Sequence, residues 1–179
     1  LTPFETAMTL PEDAPVDLRG ARIAIIGMGR VGTGAYDALK ERYADKLVGI
    51  EMDPDRVREL QEAGRHVIHA DATDDEFWER AGNDRISVVL LALPELEQNL
   101  CATRRMCALY DGVHVFAVVR YPEEDVKLRA AGVKAVWNMH AEAGSGFAEE
   151  VREYMEDANT STGEINAPDT SPRSLPTGA

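Results

Sequence analysis

The clearest chemistry in this sequence comes from three glycines and an arginine near its start. Gly27, Gly29 and Gly32 have the spacing G-x-G-x-x-G within the segment Ile23–Gly34, IAIIGMGRVGTG, and Arg30 lies among them. In such a loop the first glycine allows a tight turn, the second lets a phosphate approach the backbone, and the third lets a helix pack closely on a strand. Free N–H groups and the positive end of the helix dipole then face the phosphate. We therefore predict a phosphate-binding loop, in which Arg30 either balances the phosphate charge or is a solvated cation.

A carboxylate is expected about 20 residues after such a loop, at the end of the second strand, where it accepts hydrogen bonds from a ribose. Glu51 closes the segment LVGIE and has this position. Its two oxygens can accept both ribose hydroxyls of an adenosine, and its charge disfavours a 2′-phosphate. Asp53 is the competitor for this role, but the dipeptide Asp53–Pro54 is more typical of a helix cap and a first helical turn.

Other polar residues give weaker or negative indications. Asp71, in HADATDDEF, follows the third predicted strand, where it either accepts from an adenine amino group or caps the helix that begins near Asp74. His66 and His69 are three apart on a strand and point to opposite faces, so they predict no shared metal site. No Ser, Cys or Lys has a recognisable base partner in the sequence. The pattern therefore predicts neither catalytic residues nor a metal.

A sheet must position these residues. Short apolar runs alternate with amphipathic stretches, as in a parallel sheet covered on both faces. The predicted strands are Arg22–Ile26, Leu47–Ile50, His66–His69, Ser87–Leu93, His114–Val119 and Ala135–Trp137. The predicted helices are Val31–Tyr43, Pro54–Ala63, Asp74–Ala81, Glu95–Tyr110, Pro122–Ala131 and Ala141–Asp157. This alternation predicts an α/β, Rossmann-like, doubly wound six-stranded parallel sheet.

Composition sets the boundaries of the predicted domain and the partners it can have. We expect a leader or linker over residues 1–20, the folded domain over 21–157, and a disordered tail rich in Thr, Ser, Pro and Gly over 158–179. With 19 Lys and Arg against 32 Asp and Glu, the net charge is −13, which argues against nucleic-acid binding. A chain that starts at Leu1 fits either a C-terminal piece of a larger membrane protein or a tag-cleaved soluble subunit.

Four segments, GMGRVG, VGIEMDPDRV, HADATDDEFWERAG and VVLLALPELEQNL, together resemble the nucleotide-binding domains of regulators of potassium conductance, also called KTN or TrkA-N domains. The resemblance covers Ala21 to about Asp157, and its most specific parts are Arg30 within the glycine loop and the triplet Asp71–Thr73. The later segment VVRYPEEDVKLRAAGVKAVWNMHAEAGSGFAEEV is similar to the cytoplasmic domains of Kef-type glutathione-gated potassium/proton antiporters.

The resemblance implies AMP or NAD(H) as the bound nucleotide. The residues that it places against this nucleotide are Gly27, Met28, Gly29, Arg30, Val31, Gly32, Glu51, Met52, Asp71, Ala72, Ala92, Leu93 and Arg120. It also implies a homodimer through the helix Ala141–Asp157. A membrane antiporter or channel domain, in the same chain or a separate one, is the implied partner, with this domain in the cytoplasm at the inner face of the cell membrane.

Three functions fit these features to different degrees. The first is a regulatory nucleotide-binding domain that controls potassium efflux or potassium/proton antiport. The second is an NAD-dependent oxidoreductase, which needs a further lobe to hold substrate and an acid–base group; the predicted sheet and helices leave no room for one, so we expect no enzyme. The third is a stand-alone nucleotide sensor or a module that holds AMP permanently, which the sequence does not separate from the first.

Overall fold

The computed structural model describes residues 16–81 and 85–163. Contacts divide the chain into two compact units, the first ending at Met139 and the second beginning at His140. The predicted leader up to residue 15 and the predicted tail from residue 164 lie outside the described residues.

The first unit contains a six-stranded parallel sheet with the strand order β3-β2-β1-β4-β5-β6. The strands are β1 (Ile23–Ile26), β2 (Leu47–Glu51), β3 (Val67–His69), β4 (Val88–Leu91), β5 (His114–Val119) and β6 (Ala135–Asn138). The helices of this unit are α1 (Arg30–Tyr43), α2 (Pro54–Glu62), α3 (Asp75–Ala81), α4 (Leu96–Leu109) and α5 (Pro122–Ala131), with a 3₁₀ turn at Ala44–Lys46. Helix α6 (Met139–Gly163) belongs to the second unit except for its first residue. The predicted Rossmann-like fold class is confirmed.

Apolar side chains cover both faces of the sheet, which explains why the strands read as almost continuous apolar runs. On one face, Met28 packs with Tyr36 of α1 and Leu60 of α2. On the other face, Trp78 of α3 and Met106 of α4 belong to a larger cluster that α5 also joins. Buried layers on both sides therefore hold the strand ends in fixed positions relative to the helices.

Strand β1 lies at the centre and pairs with β2 on one side and β4 on the other, so that Ile26 is opposite both Ile50 and Leu91. From β1 the chain adds β2 and β3 on one side of the sheet, and from β4 it adds β5 and β6 on the other side. Loops at the carboxyl ends of these two strands therefore diverge, and a crevice opens between them. In doubly wound folds this crevice is where ligands bind.

The folded part starts earlier and the last helix ends later than the sequence predicts. Leu18, in the predicted leader, is only 8% exposed and belongs to the core, and the Val16 N–H donates to the Arg80 carbonyl at 3.2 Å. Helix α6 extends to Gly163, into the segment predicted as tail. Among the described residues, no helix combines the length and apolar character that a membrane crossing requires.

Candidate functional site

A cleft of about 640 Å³ lies in this crevice, where the chain leaves the carboxyl ends of β1 to β5. Its walls include the glycine loop after β1, the end of β2, the Asp71–Thr73 segment after β3, and the turn between β4 and α4. The segment after β5, which includes Arg120, completes the lining. These five segments are far apart in the sequence and meet here because the parallel strands end at the same edge of the sheet.

Two of the loop glycines are required by close backbone contacts. Gly27 has a φ of +89°, and a Cβ atom there would lie 2.8 Å from the Ala92 carbonyl oxygen. A Cβ on Gly32 would lie 1.9 Å from the Gly27 carbonyl oxygen, so only glycine lets the start of α1 approach β1 this closely. Gly29 differs, because no atom lies within 4 Å of its hypothetical Cβ and it lines the cleft. The space beside Gly29 is therefore available to a ligand.

Helix α1 begins at Arg30, with its N-terminus at the cleft. Its N-cap residue, Gly29, offers no side-chain cap, and the first turn contains no acidic residue. The first N–H groups of a helix have no intrahelical partner, and they carry the positive end of the helix dipole. Arg30 is exposed, lines the cleft, and makes no ion pair with any other described residue. This end of the cleft therefore offers several donors and a positive charge to an anion.

Glu51 holds the glycine loop against β2. One oxygen, Oε2, accepts from the Met28 N–H at 2.8 Å, while Oε1 accepts from the N–H groups of Met52 at 2.8 Å and Asp53 at 3.0 Å. A carboxylate has about four acceptor positions. Three are occupied, so one position, on Oε2, is open to a donor from a ligand. The sequence predicts that both oxygens accept ribose hydroxyls, but Oε1 already accepts two backbone N–H groups and only Oε2 has an open position.

Local hydrogen bonds distinguish the alternative roles that the sequence leaves open for Asp53 and Asp71. Asp53 Oδ1 accepts from the N–H groups of Asp55 and Arg56 and caps α2, as predicted. Asp74, not Asp71, accepts from the Glu76 N–H at the start of α3.

Asp71 Oδ1 instead accepts from both the N–H and the hydroxyl of Thr73, which fixes the turn after β3 at the edge of the cleft. Next to it, the Ala72 carbonyl accepts from the buried Trp78 indole N–H at 3.0 Å. These bonds anchor the wall where an adenine is expected.

The opposite wall is held by residues that sequence reasoning missed. The Asn99 amide, 3% exposed, donates to the Leu93 carbonyl at 3.0 Å and fixes the turn after β4. The Glu124 carboxylate accepts from the N–H groups of Arg120 and Tyr121 and fixes the backbone after β5. For Glu124 a signal was present, because Glu three residues after a helix N-cap is a capping-box pattern.

Most of the residues that the sequence predicts at the binding site line the cleft. Met28 and Gly32 do not line it, because the Met28 side chain is fully buried and Gly32 packs on Gly27. The predicted residues that line the cleft are Gly27, Gly29, Arg30, Val31, Glu51, Met52, Asp71, Ala72, Ala92, Leu93 and Arg120. In residues 16–81 and 85–163, no three His, Cys, Asp or Glu side chains form a group that could hold a metal ion.

The doubly wound sheet and the glycine loop at its crevice define a Rossmann-like domain. A sequence model of the TrkA-N domain matches residues 23–139, and this chain belongs to the TrkA-N domain family. It is 30% identical over 118 residues to the glutathione-regulated potassium-efflux system protein KefC of Cronobacter sakazakii, covering 66% of this chain and 19% of KefC. The chain thus spans about a fifth of the length of the curated relatives it matches.

Solved structures show the same fold. The TrkA-N domain of the Escherichia coli inner membrane protein ybaL has a TM-score of 0.66 and 24% identity, with 75% of this chain and 98% of that chain covered. The structure of GsuK bound to ADP has a TM-score of 0.61 and 25% identity, with 76% of this chain and 35% of that chain covered. The predicted resemblance to TrkA-N domains is confirmed.

Proposed function

We propose that this domain binds an adenine nucleotide, AMP or NAD(H), in the cleft and thereby regulates a membrane potassium transporter. The observation that carries the proposal is the open face of Gly29, where unpaired helix N–H groups and Arg30 surround space that no side chain fills. A phosphate fits this arrangement because it supplies the negative charge and the acceptor oxygens. Binding of ADP by GsuK, which has the same fold, supports an adenine nucleotide.

The remaining parts of the nucleotide follow from this phosphate position. Glu51 Oε2 accepts a hydrogen bond from a ribose hydroxyl at its free position, and the negative charge of the carboxylate repels a 2′-phosphate. The adenine lies near Asp71 and Ala72, whose turn is fixed by Thr73 and Trp78. Ala92, Leu93 and Arg120 border the far side, where the second half of a dinucleotide extends.

The domain acts as a regulator and not as an enzyme. A bound nucleotide shifts a conformational equilibrium only if its affinity differs between the two states. The ratio of the two affinities limits how far the equilibrium between states of the transporter can shift. The similarity to KefC supports potassium efflux or potassium/proton antiport as the regulated process. We place the domain in the cytoplasm at the inner face of the membrane, joined to the transporter or channel in the same chain or bound to it as a subunit.

Calorimetric titration of the nucleotide-free protein with AMP, NAD⁺, NADH and NADP⁺ tests the proposal. We expect AMP and at least one form of NAD to bind, and NADP⁺ to bind at least about tenfold more weakly than NAD⁺ because its 2′-phosphate meets Glu51. A difference between NAD⁺ and NADH indicates redox sensing, whereas tight AMP binding without that difference indicates AMP as the ligand. If none of the four binds at millimolar concentration, the proposed function is wrong.

A further inference from the structure

Met28, the central residue of the glycine loop, is held in place by its side chain, its N–H group and its carbonyl group. Its side chain is fully buried in the cluster between the sheet and helices α1 and α2. There it packs so closely on Gly49 of β2 that a Cβ on Gly49 would lie 2.8 Å from the Met28 sulfur. The side chain therefore fixes the middle of the loop to the neighbouring strand.

The backbone of Met28 is held from two further directions. Its N–H donates to Glu51 at 2.8 Å. Its carbonyl accepts from the Thr33 hydroxyl at 2.9 Å and from Arg56 Nε at 3.2 Å, while Arg56 Nη2 donates to the Thr33 oxygen at 3.3 Å. Arg56 lies on α2, so a planar guanidinium connects α2, the glycine loop and the first turn of α1.

The bonds that the Met28 carbonyl accepts from Thr33 and Arg56 lie away from the ligand space. Gly29 and Arg30 line the cleft, but Met28, Thr33 and Arg56 do not. A third nitrogen of Arg56, Nη1, is 3.4 Å from the Glu59 carboxylate, so this guanidinium is bound on several sides within the protein. Arg56 is therefore poorly placed to contact a phosphate directly.

We propose that Arg56 is a positioning residue that preorganises the glycine loop for the phosphate of the nucleotide. Met28 lies between Gly27 and Gly29, and glycine backbones have wide conformational freedom. Without the guanidinium the Met28 carbonyl keeps only the Thr33 hydroxyl as a donor, and Thr33 loses a partner, so the peptide between Met28 and Gly29 is held less firmly. The Gly29 N–H belongs to this peptide and is then less well fixed beside the cleft, so part of the binding free energy is spent on ordering it. This inference rests on the proposed binding of a nucleotide phosphate at the loop.

The test compares Arg56→Gln with Arg58→Gln, a matched change on the same helix. Arg58 is 66% exposed and pairs with Asp55, so its loss changes the net charge equally without touching the loop. Calorimetric titrations use AMP and adenosine, which differ by the phosphate alone. We expect Arg56→Gln to weaken AMP binding on the order of tenfold and adenosine binding less than about twofold, and Arg58→Gln to change neither.

A second set of measurements separates positioning from charge and from ligand binding. Arg56→Lys keeps the charge but lacks the planar fork, so we expect it to restore little of the AMP affinity. Thr33→Val, which removes the hydroxyl at nearly equal volume, is expected to weaken AMP binding in the same direction. In the nucleotide-free Arg56→Gln protein the Met28 amide, protected by Glu51, is expected to exchange its hydrogen faster than in the Arg58→Gln protein.

Unchanged AMP affinity in Arg56→Gln, equal weakening of AMP and adenosine, or full rescue by Arg56→Lys would each overturn the positioning role. An unchanged exchange rate of the Met28 amide would do the same without any ligand. These outcomes differ from a failure of the proposed function, in which the wild-type protein itself binds neither AMP nor adenosine.

Discussion

At the scale of single residues, the three glycines of the loop differ in whether their surroundings leave space for a side chain. Gly27 and Gly32 are confined by backbone atoms of the protein itself, so a side chain at either position disrupts the fold. Gly29 has a φ of −69°, which any residue adopts, and open space where its Cβ would be. The protein alone therefore does not require glycine at position 29, and a ligand gives a reason for it.

Gly29→Ala and Gly34→Ala form a matched pair that tests this reason. Gly34 is in α1, is exposed, has no atom within 4 Å of its hypothetical Cβ, and does not line the cleft. We expect Gly34→Ala to raise the free energy of unfolding by about 0.5–1 kcal/mol and to leave AMP affinity unchanged. Gly29→Ala is expected to fold normally but to bind AMP at least about tenfold more weakly, because its methyl group occupies the phosphate position. Wild-type AMP affinity in Gly29→Ala would contradict this assignment.

The residue types of the site could be predicted from the sequence, but their bonds could not. The spacing from the glycine loop identified Glu51, and it is found at the cleft. That its carboxylate accepts three backbone N–H groups depends on how closely the loop lies to β2, which no local pattern reports. Arg56 escaped notice for the same reason, since its position on α2 resembles that of any exposed helical arginine.

At the scale of elements, periodicity predicted every strand and helix of the first unit, because apolar strands and amphipathic helices have distinct repeats. The remaining differences are at the ends. Strand β4, for example, ends at Leu91 and not at Leu93, because Ala92 and Leu93 turn into the cleft wall. Apolar character alone does not distinguish a strand residue from a buried turn residue that follows it.

Helix α6 has two contrasting faces. Phe147, Val151, Tyr154 and Met155 recur at helical spacing, and each is 48–75% exposed. On the other side Arg152 pairs with Glu149 and Glu156, and the hydrogen bond from Arg152 lowers the pKa of Glu149. We propose that a second copy of the chain covers the apolar stripe, as the resemblance to TrkA-N domains implies.

Sedimentation velocity of two charge variants checks this pairing. Tyr154→Glu places a carboxylate within the stripe and is expected to shift the protein from dimer to monomer, because a charge is costly to bury without a partner. Ser145→Glu adds the same charge four residues before Glu149, on the acidic face, and is expected to leave the dimer intact. A wild-type protein that remains monomeric at high concentration would contradict the proposal.

At the scale of the whole molecule, the charge balance and the site act in opposite directions on an anionic ligand. The net charge of −13 repels anions at long range, and salt screens this repulsion beyond about 10 Å. Within the cleft, the N-terminus of α1 with Arg30 attracts a phosphate at short range, where screening is weaker. An overall acidic chain can therefore still attract an anion at one place.

The most direct measurement is a titration of the isotopically labelled, nucleotide-free protein with AMP, followed by two-dimensional ¹H–¹⁵N NMR. If the phosphate lies on the glycine loop, the amide resonances of Gly29, Arg30 and Val31 shift most, accompanied by those near Glu51 and Asp71. If saturating AMP leaves these resonances unchanged, or shifts only resonances outside the cleft, this site does not bind the nucleotide.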